Sequence, residues 1–239
     1  MRTRILAAAA ALLAAASARG QEVVVRGTVV GADGQPAAGV EVADFWSGTR
    51  DAMKAFNGTK TDADGRYTLK LQPWMTEASV LALDADRKLG GLVTVKPKET
   101  RDVAPIKLGP LVRVVGRFES KELGKRPPWT NVYVNTSRQA RLLQSMSQAA
   151  EFGFILPPGK YQFHGYGTDV KGVRREVEVP ADKPELDLGA IELPATEIAK
   201  HVGRAPPAWH VTDARGLKDD VTLADLKGKW VLVEFWGFW

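Results

Sequence analysis

Short runs of β-branched and aromatic residues alternate with turn-forming clusters along most of this chain, and that alternation limits its fold more than any other feature. Glu22–Val30 is extended and β-branched, and Gly31-Ala32-Asp33-Gly34-Gln35-Pro36 follows as a turn, with Asp-Gly supplying positive φ and Pro ending the ladder. Ala38–Val42 resumes a strand with Val40 and Val42 on one face. Thr61–Leu71 reads as a second turn into an alternating strand with Tyr67, Leu69 and Leu71 inward, and Ser79–Leu83 and Gly91–Val95 add two more. Short strands between Gly-rich turns predict antiparallel sandwiches.

The pattern then repeats. Asp102–Gly109 and Asp187–Pro194 are similar closing strands whose first residues lie 85 positions apart. Leu111–Phe118 mirrors the opening strand, Asn131–Val134 the second, and Phe152–Phe163 a strand, a Pro157-Pro158-Gly159 turn and an aromatic strand; Arg174–Val179 is a further alternating strand. Two modules of one design are expected, over 22–108 and 110–194. Ser137–Glu151 is expected to be irregular or a short helical insertion, since Leu142, Met146 and Ala149 fit a helical stripe, although it sits where a hairpin would lie.

The first module carries Gly27-x-Val29, then Asp33-Gly34-x-Pro36-x-x-Gly39-Val40-x-Val42, then Thr61-Asp62-x-x-Gly65-x-Tyr67. In this order the residues resemble the carboxypeptidase regulatory-like domain, with its transthyretin-like (prealbumin-like) sandwich. The resemblance implies a fold and an accessory module, with no catalytic residue to carry over.

Both ends carry different signals. Arg2 and Arg4 precede an apolar run from Ile5 to Ala16, and Ala16-Ser17-Ala18 is the small-x-small pattern of a signal peptidase site. Residues 1–20 are therefore expected to be a secretory signal. Its 12 apolar residues are too few for a bilayer span of about 20. The mature protein is expected to be exported, periplasmic or extracellular, with no membrane span. Without Arg2 and Arg4 the chain has 31 basic and 28 acidic side chains, a net of +3. These are interspersed, so no nucleic-acid partner is expected. There is no cysteine. This excludes disulfide staples, a lipid-bearing cysteine, thiol chemistry and thiolate metal sites in the chain as it stands.

The polar stretch 195–202 is expected to be a linker, and Pro206 and Pro207 fix an extended path after it. Thr222 is placed to cap a short helix, with Asp225 at its third position, Leu223 and Leu226 buried, and Gly228 ending it. Trp230–Phe235 is an almost unbroken apolar run, the pattern of a strand buried on both faces. The order Gly203-Arg204-Ala205-Pro206, Asp213-x-x-Gly216, Val221–Lys229, Val231–Trp236 and Trp239 resembles the start of the thioredoxin-like redoxin domain of exported TlpA-like thiol-disulfide oxidoreductases. In that family Cys-x-x-Cys follows next. The resemblance implies an incomplete α/β thioredoxin-fold segment over 203–239, cut before its dithiol. It implies that Phe235, Trp236 and Trp239 form the aromatic approach to that missing site, and that exported proteins would be the partners of a complete domain.

Other motifs are weak. Asp62-x-Asp64-Gly65 invites a calcium loop, but the position of the bidentate Glu is Leu71, and an Asx turn is favoured. His164 has no second His beside it, so no metal is expected there, and Gly165-x-Gly167 is too short for a dinucleotide loop. Trp46, Trp74 and Trp129 either line a ligand groove or complete a core or domain interface, the second being favoured. No His-Glu-x-x-His zinc motif supports a metallopeptidase. No catalytic residue, cofactor or metal is assigned. The fold expected is mainly β: two prealbumin/Ig-like sandwich modules plus the redoxin-like segment. The leading functional expectation is an exported thiol-disulfide oxidoreductase-family chain lacking its redox cysteines. The alternative is a non-enzymatic exported β-sandwich binding or spacer protein.

Overall fold

The structure is a computed structural model, and it describes residues 23–49, 52–99, 101–137, 140–204, 208, 211, 215–232 and 234. The segment 1–20, together with Pro206, Pro207, Phe235, Trp236 and Trp239, lies outside the described residues. Backbone contacts divide the chain into one unit through Thr196 and another from Glu197 onward.

The first unit is mainly β. In its first half, β1 (Val23–Val30) lies between β6 (Arg66–Leu71), which is antiparallel to it, and β9 (Ile106–Lys107), which is parallel. Facing this is a sheet in which β2 (Glu41–Ala43) pairs with β5 (Thr59–Lys60) and β7 (Ala78–Asp84). Beyond β7 lie β8 (Leu89–Val95) and the short β10 (Gly109–Pro110). β6 alternates strictly between exposed and buried, and Tyr67, Leu69 and Leu71 are inward as expected.

The second half repeats this topology. β11 (Val112–Glu119) lies between β14 (Glu151–Leu156), antiparallel, and β17 (Glu185–Glu192), parallel. β12 (Thr130–Asn135) pairs with β13 (Arg141–Ser147) and β15 (Gly159–Gly167), and β15 pairs with β16 (Val170–Val179). The same close approach recurs too. Gly27 sits opposite Tyr67 and Gly116 opposite Phe152, and a Cβ on either glycine would lie 2.6 or 2.5 Å from the ring residue it faces.

The halves share a sheet. Between β2 and β5 the chain makes a hairpin of β3 (Phe45–Thr49) and β4 (Ala52–Phe56), and β3 adds in parallel to β13, with Leu143 opposite Trp46. The larger sheet of the second half therefore has six strands, in the order β16-β15-β12-β13-β3-β4. Trp46 is fully buried in the second core, beside Leu142, Leu143 and Phe154. β7 is buried on both faces, which explains its nearly continuous apolar run. Val80 and Ala82 belong to the first core, Leu81 and Leu83 to the second.

Three expectations are corrected. Ser137–Glu151 is not a helical insertion: Arg141–Ser147 is a strand, with Leu142 and Leu143 buried and Met146 exposed. A bulge between Val134 and Asn135 turns the adjacent Leu142 and Leu143 inward, while Met146 and Ala149, the other residues of the expected stripe, are exposed. The stretch 195–202 is not simply a connector. Ala195 bridges Val170, Thr196 N–H donates to the Asp169 carbonyl at 2.8 Å, and Glu197–His201 forms a short helix, α1. Glu197 in its first turn and Lys200 in its last suit the helix dipole.

The third correction concerns the second unit, 197–239. Leu223–Leu226 is a 3-10 helix, and both leucines are only half-buried. Thr222 donates its N–H (2.8 Å) and its hydroxyl (2.7 Å) to Asp225 Oδ2, and these bonds hold the Asp225 carboxyl below the usual carboxylate range. Trp230, Val231, Leu232 and Glu234 form no strand, and Trp230 is 104% exposed. A strand of this composition needs neighbouring strands and covering faces, and among the described residues of this unit no strand exists to pair with it.

Candidate functional site

A cleft of about 370 Å³ opens where the β3–β4 hairpin leaves the first half and reaches the second. Its size falls within the range of about 300–1,000 Å³ typical of ligand sites. Asp44 stands at the bend between β2 and β3, and Phe45 and Phe56 are register partners on the hairpin. Their rings meet edge-to-face, 5.7 Å apart. Gln72–Met75 is a turn closed by Met75 N–H on the Gln72 carbonyl (3.0 Å). Pro73 suits its second position. That turn presents Trp74, which is 71% exposed, as is Phe56 at 53%. From the second half come Asn135 and Arg141, register partners on β12 and β13. Lys70 and Glu77 complete the polar lining.

Two contacts tie the walls together near the cleft. The Ser137 hydroxyl donates to Glu77 Oε2 at 3.0 Å, and the hydroxyls of Ser79 and Thr136 bond to each other. Asp44 is 7% exposed, and burial pushes its carboxyl above the usual carboxylate range, against the opposing pull of the backbone N–H groups of Asp44 and Phe45. Asn135 Oδ1 is buried and has no hydrogen-bond partner among the described residues. A buried acceptor in that state calls for a donor.

Beside the cleft, the outer face of the six-stranded sheet carries an aromatic strip. Tyr166 packs on Trp129 (5.9 Å), Tyr133 (5.8 Å) and His164 (5.7 Å). Asn131 Nδ2 donates to the Tyr166 hydroxyl at 3.0 Å, which in turn donates to that of Tyr133 at 3.4 Å. The Arg141 guanidinium lies 3.8 Å from the centre of the Tyr133 ring, so one side chain borders both the cleft and the strip. His164 is held below its usual range, first by burial and then by Arg174 and Arg141.

The residues singled out in the sequence have separate fates. Trp46 completes a core shared by both halves, Trp74 lines the cleft, and Trp129 borders the strip. Phe235, Trp236 and Trp239 lie outside the described residues. His164 stands among aromatic and basic groups. Among the described residues no cluster of three or more His, Asp or Glu could hold a metal ion. Asp44, Asn135 and Arg141 went unnoticed in the sequence, because residues 44–57, 70–78 and 135–141 meet only through the transferred hairpin. An aromatic pair, Phe45 and Phe56, outside any expected strand was the signal available.

The Asp62 motif is an Asx turn. Asp62 Oδ1 accepts the N–H groups of Asp64 (2.9 Å) and Arg66 (2.8 Å), and Asp64 pairs with the Arg66 guanidinium. Asp62→Ala is expected to cost about 1–2 kcal/mol through these two lost bonds. Thermal melts of wild type and variant should be the same in calcium chloride and in EDTA; a calcium-dependent rise in Tm in wild type alone would contradict the turn assignment.

No protein-family model matches the chain, and no curated protein does. Solved structures give weak similarities. The Bacillus anthracis TIE protein is 13% identical over 73% of this chain with a TM-score of 0.34, and the match spans only 34% of that protein's own chain. Shaft pilin spaA from Lactobacillus rhamnosus GG is 10% identical over 74% of this chain and 98% of its own, TM-score 0.32. GBS52, the minor pilin of Streptococcus agalactiae, is 11% identical over 72% and 96%, TM-score 0.30. Among the described residues no helix is long and apolar enough to cross a membrane.

Proposed function

We propose that this chain is an exported, non-enzymatic β-sandwich binding protein, in which modules 22–108 and 110–194 form a frame and the cleft at their shared sheet receives a ligand. One observation carries this reading. The transferred hairpin builds a cleft from both halves, with exposed Trp74 and Phe56 at its wall and Lys70, Glu77 and Arg141 in its polar lining. Packing each module alone would not require this arrangement.

A thermal-shift panel of neutral hexasaccharides and neutral hexapeptides on the full chain tests it. Binding at 100 times Kd adds about 2.7 kcal/mol, worth roughly 5–10 °C for a domain of this size. That shift should shrink in Trp74→Ala. No shift with any member would overturn the binding reading and leave only a spacer. Export rests on the signal-like segment 1–20, and mass spectrometry of the secreted or periplasmic chain should find that segment removed.

The redoxin reading is favoured only by the order of residues in 203–239. Reading the gene past the codon for Trp239 tests it. An in-frame Cys-x-x-Cys within a few codons supports a thioredoxin-like oxidoreductase, and its absence removes that reading.

A further inference from the structure

We propose that the cleft and the aromatic strip beside it together bind a neutral glycan chain, with one sugar unit in the cleft and the following units laid along the outer face of the six-stranded sheet. This rests on the binding reading above and names its ligand class.

The charges of the lining favour a neutral ligand. Asp44, Glu77, Lys70 and Arg141 line the cleft together, two carboxylates and two cations. An anion or a cation would meet as many like charges as opposite ones, and would have to shed its own hydration to enter. A neutral polyhydroxyl compound has no such penalty, because each hydroxyl both donates and accepts. Planar carboxylate, amide and guanidinium groups present paired donors or acceptors in one plane, which suits adjacent hydroxyls on a sugar ring. Glu77 can accept beyond its bond from Ser137, and the Arg141 guanidinium brings donors to the same lining.

The apolar part of the lining matches the other face of a sugar. A pyranose ring carries a patch of C–H groups, and an exposed ring buries that patch without a polar cost. Trp74 and Phe56 are exposed beyond anything the core requires. A lone exposed aromatic would carry little weight, since single exposed apolar residues are ordinary. Here the rings continue: Arg141 leads from the cleft onto Tyr133, then Tyr166, then Trp129, each neighbouring pair of rings within 6 Å. The Tyr133 hydroxyl accepts from Tyr166 and keeps its own proton to donate, so the strip offers hydrogen bonding as well as rings. A run of such sites suits a repeating chain more than a single small molecule.

Isothermal titration calorimetry on the full chain separates the outcomes. The probes are cellohexaose, maltohexaose and chitohexaose, the matching disaccharides, a hyaluronan hexasaccharide and a neutral hexapeptide. At least one neutral hexasaccharide is expected to bind, at least tenfold tighter than its disaccharide. Trp74→Ala and Arg141→Ala should each weaken it about tenfold, and both residues are exposed enough to be changed without unfolding the chain. Binding of the peptide but of no neutral hexasaccharide would overturn the glycan assignment and leave the binding reading standing. Tighter binding of hyaluronan would overturn the neutral class. Hexasaccharide binding unchanged by both variants would place the ligand elsewhere and overturn the site. Silence from every probe would sink both this assignment and the binding reading.

Discussion

Trp46→Ala is expected to lower the stability of the first unit by about 3–5 kcal/mol, the usual range for removing a large buried aromatic. The side chain is 0% exposed, lies on the transferred β3 opposite Leu143, and belongs to the same core as Leu142 and Phe154. Against a total stability of about 5–15 kcal/mol, that loss threatens the folded state. It also strikes the join between the halves, because β13 then borders a cavity instead of an indole. Trp46→Phe is expected to be much milder. It keeps most of the apolar area and removes an indole N–H that has no partner among the described residues. Urea unfolding followed by far-UV circular dichroism compares the two. A loss below about 1 kcal/mol for the alanine variant would mean that the hairpin is not part of the second core.

Gly65→Ala is the second large effect. Gly65 has φ +70°, and a Cβ there would lie 2.5 Å from the Val29 carbonyl oxygen and 3.0 Å from Ala37 N. Those atoms belong to the junction of turn and strand: Val29 N–H donates to the Gly65 carbonyl (2.8 Å), and Ala37 N–H to the Val29 carbonyl (3.0 Å). The left-handed backbone alone costs an alanine about 1–2 kcal/mol. Displacing ladder atoms should bring the total to about 3 kcal/mol or more. Gly34→Ala is the control. Its φ is +82°, but nothing lies within 4 Å of the added carbon, so only the conformational cost applies. Equal losses in the two variants would mean that the clash at Gly65 is relieved by a small shift.

The strands were legible where periodicity and turn chemistry agreed. Asp33-Gly34, Asp62-x-x-Gly65 and Pro157-Pro158 stand between strands, and Tyr67, Leu69 and Leu71 point inward as their alternation requires. The repeat of the two closing strands was legible as well, and each runs parallel to the opening strand of its own half. Leu142, Met146 and Ala149 misled, because their spacing fits a helical stripe although only Leu142 of the three is buried. Trp230–Leu232 misled differently: their composition is that of a central strand, but a strand exists only beside another.

Of the cleft, Trp74 alone was named from the sequence, and there only as one of two readings; Trp129 and His164 of the neighbouring strip were named too. The neighbours of Trp74 come from three stretches far apart in the chain, and no local signal links them.

The amino-acid sequence by itself determined the mainly β character, the turns and the inward residues of most strands, because these follow from local conformational preference and alternation within a few residues. The tertiary structure alone decided where the hairpin 45–56 goes. Its pairing with β13, the burial of Trp46 and the cleft between Asp44, Trp74, Asn135 and Arg141 depend on an open sheet edge that lies 97 residues further along the chain, from Trp46 to Leu143. An unpaired edge binds whichever compatible strand the rest of the fold brings to it, and no property of residues 45–56 specifies that partner.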